Sequence, residues 1–350
     1  MRIFSLPGKE TAIAKKHPVS IIICAKNEAQ NLKQNLPAIL AQRYTNEAGK
    51  PLFEVIVVND ASYDDTEQVL RALEMQYDNL WDVTISPDAE RTLKGKKFAL
   101  SKGIAHSGYD RLLLIDADCK PSSDEWLGHM IQPLGNGKEI VAGYGGYYTN
   151  KGLLNAFIRW ETIHTFLQYS TYALAGKPYM AVGRNMACTK EVILKAQQSE
   201  IWNALPSGDD DLLVNIVANG ENMAIVSDKK AFTYSTAKTT WKEWMAQKQR
   251  HLSTGKYYKE STKALLGVYG LSHTIMWLLF FVLLFTNNQD IALYAMLIRC
   301  FIYWGIWTVA ANKLNEKKII IFFPLFDIGW LIYNFVFSPY IIWKNKKQWK

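Results

Sequence analysis

The sequence predicts an α/β domain built on a mostly parallel sheet, followed by helices that cross a membrane. Three observations carry this. Continuous apolar runs rich in β-branched residues recur at strand length: VSIIIC at 19–24, FEVIVV at 53–58 and RLLLI at 111–115. Such runs suit strands buried on both faces. Segments with helical spacing separate them, and this alternation gives a parallel sheet covered by helices on both sides. From Leu265 onward, Leu, Ile, Phe, Trp and Tyr dominate in blocks of membrane-crossing length.

After the first strand, 28–42 places Leu32, Leu36, Ile39 and Leu40 on one helical face. The second strand leads into a helix expected at 64–77, which Asp64 or Asp65 can cap. A third strand is expected at 81–86, a helix at 97–106, and RLLLI forms the fourth strand. The stretch 139–148, rich in Gly and Tyr, reads as irregular. Helices are expected at 153–174, 191–196 and 209–218. The segment 237–251 is amphipathic, with Trp241, Trp244 and Met245 among Lys and Arg, a composition suited to the membrane interface.

Three apolar segments follow, 265–286, 291–311 and 319–343. The third holds Pro324, Asp327 and Pro339, which favour a kinked or re-entrant course. The basic tail KNKKQWK at 344–350 points the same way. With a cytosolic domain and three full crossings it would lie outside, against the tendency of Lys and Arg to stay on the cytosolic side. A membrane hairpin with a re-entrant or interfacial third segment satisfies both. The chain then divides into an extension (1–17), a catalytic domain (18–235), an interfacial segment (236–263), membrane segments (264–343) and the tail.

The net charge is +8. Much of the excess flanks the apolar segments, at Lys238, Lys242, Lys248, Arg250, Lys256, Lys259 and Lys263 and again in the tail. Without a nucleic-acid motif, that placement marks a membrane surface and excludes nucleic acid as the partner. Residues 1–18 contain no apolar core of signal-peptide length, so the domain is expected on the cytosolic side of the inner membrane. The four cysteines are widely spaced without a C-x-x-C pair, which argues against zinc and for reduced thiols.

Asp116-Ala117-Asp118 follows the strand RLLLI directly. Ligands of open α/β sheets sit at the carboxyl ends of strands, and two carboxylates there can share Mg2+ or Mn2+, which prefer hard oxygen ligands. A solvated turn is the competing reading. Asp60 stands at the exit of FEVIVV, placed to accept hydrogen bonds from a base, and Ala25 to Glu28 at the exit of the first strand. Lys94-Gly95-Lys96-Lys97 precedes a helix, where basic side chains and free amides can grip phosphate. Asp209, Asp210 and Asp211 crowd a helix start. They serve as extra caps, or as a general base whose pKa the neighbouring carboxylates raise.

In order, VSIIICAKNEAQNL, VIVVNDASYDDT, KGKKFALSKGI, LLLIDADCKP, GDDDL and QKQRH resemble the family 2 glycosyltransferases of GT-A fold, over about residues 18–255. Cellulose and hyaluronan synthases belong to that family. The resemblance implies an inverting transfer from a nucleotide sugar to a glycan or lipid-linked acceptor at the cytosolic membrane face. It places Ala25 and Glu28 along the nucleotide, Asp60 on its base, and Lys96 or Lys97 by the diphosphate. Asp116 goes to the ribose or metal and Asp118 to the metal. Aligned on Leu212, the usual Glu is Gly208, the catalytic base is Asp209 (Asp210 with an offset of one), and Asp211 is the later acid. The Q-x-x-R-W motif of processive members appears as Gln247, Arg250 and His251, on the acceptor or diphosphate side. His stacks less well than Trp, so the resemblance leaves both processive and single addition open. Gly183-Arg184-Asn185 resembles a segment lining the acceptor side.

Three other readings compete. A polyprenyl phosphate acceptor would give a lipid-linked monosaccharide, and its phosphate oxygen needs little help from a base. A nucleotidyltransferase also uses carboxylate-bound metal but releases pyrophosphate. A non-catalytic membrane protein would want more charge inside its spans than Arg299 and Asp327.

Overall fold

A computed structural model describes residues 16–343, with side chains through residue 337. The chain forms two compact units. The first comprises residues through Tyr148 together with Phe166–Thr236; the second comprises Thr149–Thr165 and the chain from Ala237.

The first unit is organised by strands β1 (Val19–Ala25), β2 (Phe53–Asp60), β3 (Leu80–Ile85), β4 (Arg111–Leu114), β6 (Ile140–Gly143), β8 (Met186–Thr189) and β9 (Met223–Val226). They form one seven-stranded sheet in the order β3-β2-β1-β4-β8-β6-β9. The left half is parallel, with Ile22 opposite Ile56 and Leu114. Only β8 runs against its neighbours. All seven residues of β1 are buried, as a strand covered on both faces requires. On one face Val19, Ile21 and Ile23 join Leu32, Leu36 and Ile39 of helix α1 (Ala29–Leu40) in the main core. On the other face Gly103 of helix α3 (Lys96–His106) comes so close to Ile22 that an added Cβ would lie 2.7 Å from it. The order reverses between β1 and β4, and a crevice opens at such a reversal, outside the carboxyl ends of the strands.

Between α1 and α3 lies α2 (Thr66–Glu74), where Asp64 is the residue that caps, accepting from the Thr66 amide at 3.1 Å. A second sheet joins β5 (Lys120–Pro121), β10 (Thr233–Ser235) and β7 (Gly145–Tyr147) in the order β5-β10-β7. The stretch 139–148, expected to be irregular, is therefore two strands, β6 and β7. Their IVAG and GGY sequences are too short for a strand pattern to register, and GGY has no branched side chain. Helices α4 (Trp126–Ile131), α6 (Lys190–Gln197), α7 (Glu200–Ala204) and α8 (Asp211–Val217) complete this unit. Helix α5 (Leu153–Leu174) begins in the second unit and ends in the first.

The second unit holds α9 (Trp241–Leu252), α10 (Glu260–Leu283), α11 (Gln289–Lys313) and α12 (Phe323–Trp343). Three of its helical stretches are long and apolar enough to cross a membrane, with mean hydropathies of 1.8, 1.5 and 1.9. The third starts as a 3-10 stretch, Lys317–Phe322, and passes into α12 at Phe323, so Pro324 falls in the first turn of α12, where no amide partner is lost. Asp327 is fully partnered: Arg299 holds it at 2.5 and 3.1 Å, His273 at 3.0 Å and the Trp277 indole at 3.2 Å. Such pairing is what permits a carboxylate inside an apolar bundle. The Arg159–Glu316 pair is also buried. The extension up to residue 15 and the basic tail lie outside the described residues.

Candidate active site

The carboxyl ends of β1, β2 and β4 bring distant acids together. Cys24, near the end of β1, marks the centre. Burial pushes its thiol up to about 12, and its charged surroundings are Lys96, Asp209, Asp116 and Asp60. Backbone strain accompanies the exits: Asn27 and Ala61 both have positive φ, 57° and 52°, a conformation that costs an alanine on the order of 1–2 kcal/mol. Asn27 is held there by its own bonds, donating its amide to the Ser62 hydroxyl at 2.9 Å and accepting from the Tyr63 amide at 3.0 Å. Ala25 is buried at the end of β1. Glu28 follows, accepting from the Asn31 amide group at 2.5 Å.

Lys96 is the hub. Its ammonium donates to Asp116 and lies 3.3 Å from Asp209. Burial pulls its pKa down, but those two carboxylates outweigh burial and hold it well above its ordinary value. Reciprocally, burial raises the Asp209 carboxyl, while Lys96, a backbone amide and Lys97 together outweigh it, so Asp209 is held below its ordinary value. The neighbouring Lys97 has a different fate. It is fully buried and donates to the carbonyls of Trp202, at 2.5 Å, and Leu205, at 3.2 Å. Burial pulls it down to about 8. Of the two lysines offered by the sequence, Lys96 faces the acids and Lys97 braces a loop. Successive residues at a helix start point about 100° apart, so both cannot serve one site. Gly95 makes the approach possible, since a Cβ there would sit 2.4 Å from the Pro206 carbonyl oxygen.

Asp118 reaches solvent at the rim, although most of its surroundings are protein. Burial and then Asp116 push its carboxyl up, and the Cys119 thiol donates to it at 3.3 Å. Asp116, Asp118 and Cys119 each offer one atom within 4.8 Å of the others. Burial holds the Cys119 thiol well above its ordinary value and therefore protonated. The usable ligands are two carboxylates, which fits a hard divalent cation rather than zinc.

Asp60 is completely buried and gripped by Arg91 at 2.5 and 3.2 Å. Arg91 was not visible as a site residue, because a single Arg in an irregular loop carries no pattern. Asp210 accepts the Gly183 amide at 2.7 Å and the Asp211 amide at 2.8 Å. Burial first, then Asp209 and Asp211, push it up to about 7. Asp211 is buried and turned onto the Leu212 amide at 2.8 Å. Gln247, Arg250 and His251 stand on α9 of the second unit.

Comparison with known proteins decides the family. Residues 20–193 match the model of glycosyl transferase family 2, and curated relatives carry the same activity in their names. The chain belongs to glycosyl transferase family 2. The chain is 33% identical over 126 residues to glycosyltransferase AglE of Haloferax volcanii, covering 36% of this chain and 38% of that one. It is 28% identical over 246 residues to the probable glycosyltransferase YdaM of Bacillus subtilis, covering 68% and 55%. A poly-beta-1,6-N-acetyl-D-glucosamine synthase of Staphylococcus epidermidis matches at 26%, over 29% of this chain and 21% of that one. The chain thus spans less than two thirds of the length of these relatives. Among solved structures, a mannosyltransferase of Pyrobaculum calidifontis in complex with GDP-Man and Mn2+ superposes with a TM-score of 0.57 at 15% identity, covering 96% of this chain and 92% of that one. That likeness establishes the GT-A fold.

Proposed function

We propose that this family 2 enzyme is an inverting glycosyltransferase, moving a sugar from a nucleoside-diphosphate sugar to a hydroxyl acceptor on a glycan or glycolipid. It would work at the cytosolic face of the inner membrane, held there by its three apolar helices. The observation that carries this reading is Lys96 set between Asp116 and Asp209, with Asp118 at the rim. One half-buried cation is shared by two carboxylates with different tasks. Asp118 and Asp116 would hold Mg2+ or Mn2+, which neutralises charge on a departing diphosphate.

The chain's own residues supply the rest. Lys96 presents its ammonium to the diphosphate. A phosphate oxygen competing for that ammonium loosens its hold on Asp209, and Asp209 becomes more basic as the donor enters. Asp209 then takes the acceptor proton as the oxygen attacks the anomeric carbon, and the configuration inverts. Asp210, up at about 7, is the alternate base. Asp60 with Arg91 offers a hydrogen-bonding edge for the nucleotide base, with Ala25 and Glu28 beside it. For Gln247, Arg250 and His251, the acceptor or diphosphate role rests on the resemblance alone.

The test is donor screening with the purified full chain in detergent, reading released nucleoside diphosphate with and without Mn2+. Metal-dependent release of nucleoside diphosphate is expected for one donor. Release of pyrophosphate would instead mark a nucleotidyltransferase, and release unaffected by chelation would remove the metal from the scheme.

A further inference from the structure

Two neighbouring lysines open α3, and the second binds backbone instead of acids. Lys97 is fully buried. Its ammonium donates to the carbonyls of Trp202 and Leu205 and lies 4.6 Å from the centre of the Trp202 ring. Lys96 takes the nearby acids, and among the described residues no carboxylate lies within ion-pair distance of Lys97. The charges that face it, Asp209, Asp211 and Asp210, favour its ammonium, but burial outweighs them. Two carbonyls and a ring replace the water of an ammonium only in part, so this burial costs the fold free energy. Leu or Met would fill the same space without that cost.

The loop that Lys97 holds leads directly into the acids. Helix α7 is tied locally, by the Ser199 hydroxyl accepting from the Trp202 amide at 3.4 Å and by the Asn203 side chain donating to the Gln197 carbonyl at 2.7 Å. Beyond it, residues 205–208 make no backbone–backbone hydrogen bond among the described residues. Trp202 is fully buried, yet its indole N–H has no acceptor among them, so hydrogen bonding of its own does not fix the ring. The links from this stretch to the start of α3 are the Lys97 bonds and the close packing of Pro206 on Gly95. Gly208 then turns the chain at φ 85°, and Asp209 arrives 3.3 Å from Lys96. One helix start grips the loop twice, Lys97 by its backbone and Lys96 by the side chain of Asp209.

We propose that Lys97 is a positioning residue for glycosyl transfer: by holding the carbonyls of Trp202 and Leu205 it fixes the loop that delivers Asp209, and so sets how Asp209 meets Lys96, without touching the donor. The proposal rests on the reading of Asp209 as the base. A misplacement of about 1 Å at such a group can cost ~10²-fold in rate, so a brace this close to the chemistry acts on turnover.

The test uses the purified full chain in detergent, well below the unfolding temperature of each variant, with the nucleotide sugar that the wild type turns over. Lys97→Met keeps the apolar stem and removes the donors. Its kcat should fall by about 10–100-fold, with KM for the nucleotide sugar within about threefold of wild type, because the donor is held elsewhere. Hydrogen exchange across 199–208 should quicken in the same variant while α3 stays protected. Lys97→Gln keeps two N–H donors on a shorter stem; it should lose less than Met, and it carries the same tests where Met does not fold. In an Asp209→Asn background, Lys97→Met should lower kcat by less than about threefold more, since a residue acting through Asp209 has little left to position. A merely structural lysine would instead give losses that multiply in full. The proposal is overturned if kcat is unchanged, if KM rises with kcat intact (which would make Lys97 a donor contact), if the two losses multiply, or if exchange across 199–208 is unaltered. Absence of nucleoside diphosphate release from the wild type with every donor would instead sink the glycosyl-transfer reading, and the exchange measurement would still decide whether Lys97 holds the loop.

Discussion

Replacing Asp210 by Asn should change how the stability of this protein depends on pH. In the folded chain Asp210 stands at about 7, against an ordinary 3.8. For an acid raised by folding, the stability is fully present below the unfolded pKa and is lost as pH rises through the folded one, so the window runs from about 4 to 7. Across the whole window the loss approaches ~4 kcal/mol, at 1.36 kcal/mol per unit. Between pH 5 and pH 8 the same relation gives a loss of roughly 2–3 kcal/mol in the wild type, and none from Asn at that position. Asn also has one oxygen where Asp210 uses two, one for the Gly183 amide and one for the Asp211 amide. That difference costs about 1 kcal/mol at every pH, so the offset is uninformative and the slope is the readout. At roughly 2–4 °C per kcal/mol for a unit of this size, the unfolding temperature of Asp210→Asn relative to wild type should rise by ~5–10 °C from pH 5 to pH 8. Differential scanning fluorimetry at one scan rate in a single detergent measures this. A gap that stays constant across the range would mean Asp210 is ionised throughout, and the crowding argument would fail.

Two further perturbations separate the roles proposed here. Asp209→Asn should lower turnover by about 10²–10⁴-fold, the usual contribution of a placed base, with donor affinity retained; single-turnover product release together with donor titration checks this, and a loss under about tenfold would favour a phosphate acceptor, which needs no base. Asp327→Asn should lower the unfolding temperature of the membrane-helix unit, because it leaves Arg299 without its carboxylate. The double variant Asp327→Leu with Arg299→Met should recover most of that loss, since replacing both members of a buried pair is far milder than removing one; additive losses in a double-mutant cycle would contradict the pairing.

The half of the sheet that was legible in the sequence is the half made of β-branched runs. VSIIICA and FEVIVVND are buried on both faces, and no pattern except a central strand accommodates seven or eight such residues. The other half was not legible for a physical reason. The strands MACT, IVAG and MAIV are four residues long, too short for a period of two to register, and they draw their stability from pairing with strands distant in the chain. The membrane helices lie at the opposite extreme, since about twenty apolar residues have few other destinations.

The acids were legible as candidates because carboxylates at strand exits are conspicuous, but charge alone could not rank them. Asp209 and Asp210 are adjacent, share burial and repel each other, yet they are driven in opposite directions. The difference comes from Lys96, whose ammonium lies 3.3 Å from Asp209. Asp210 receives only two backbone amides against the negative charge of its neighbours. Nothing in the run GDDDL encodes that asymmetry. It is set by a lysine more than a hundred residues earlier, and by the glycine before it that lets the 206 loop close on the helix start. The same holds for Lys96 and Lys97, identical in the sequence and opposite in use. One is matched to carboxylates, the other to the carbonyls of Trp202 and Leu205. A residue type in a motif names a chemistry that is available; the charge that faces it decides whether that chemistry operates.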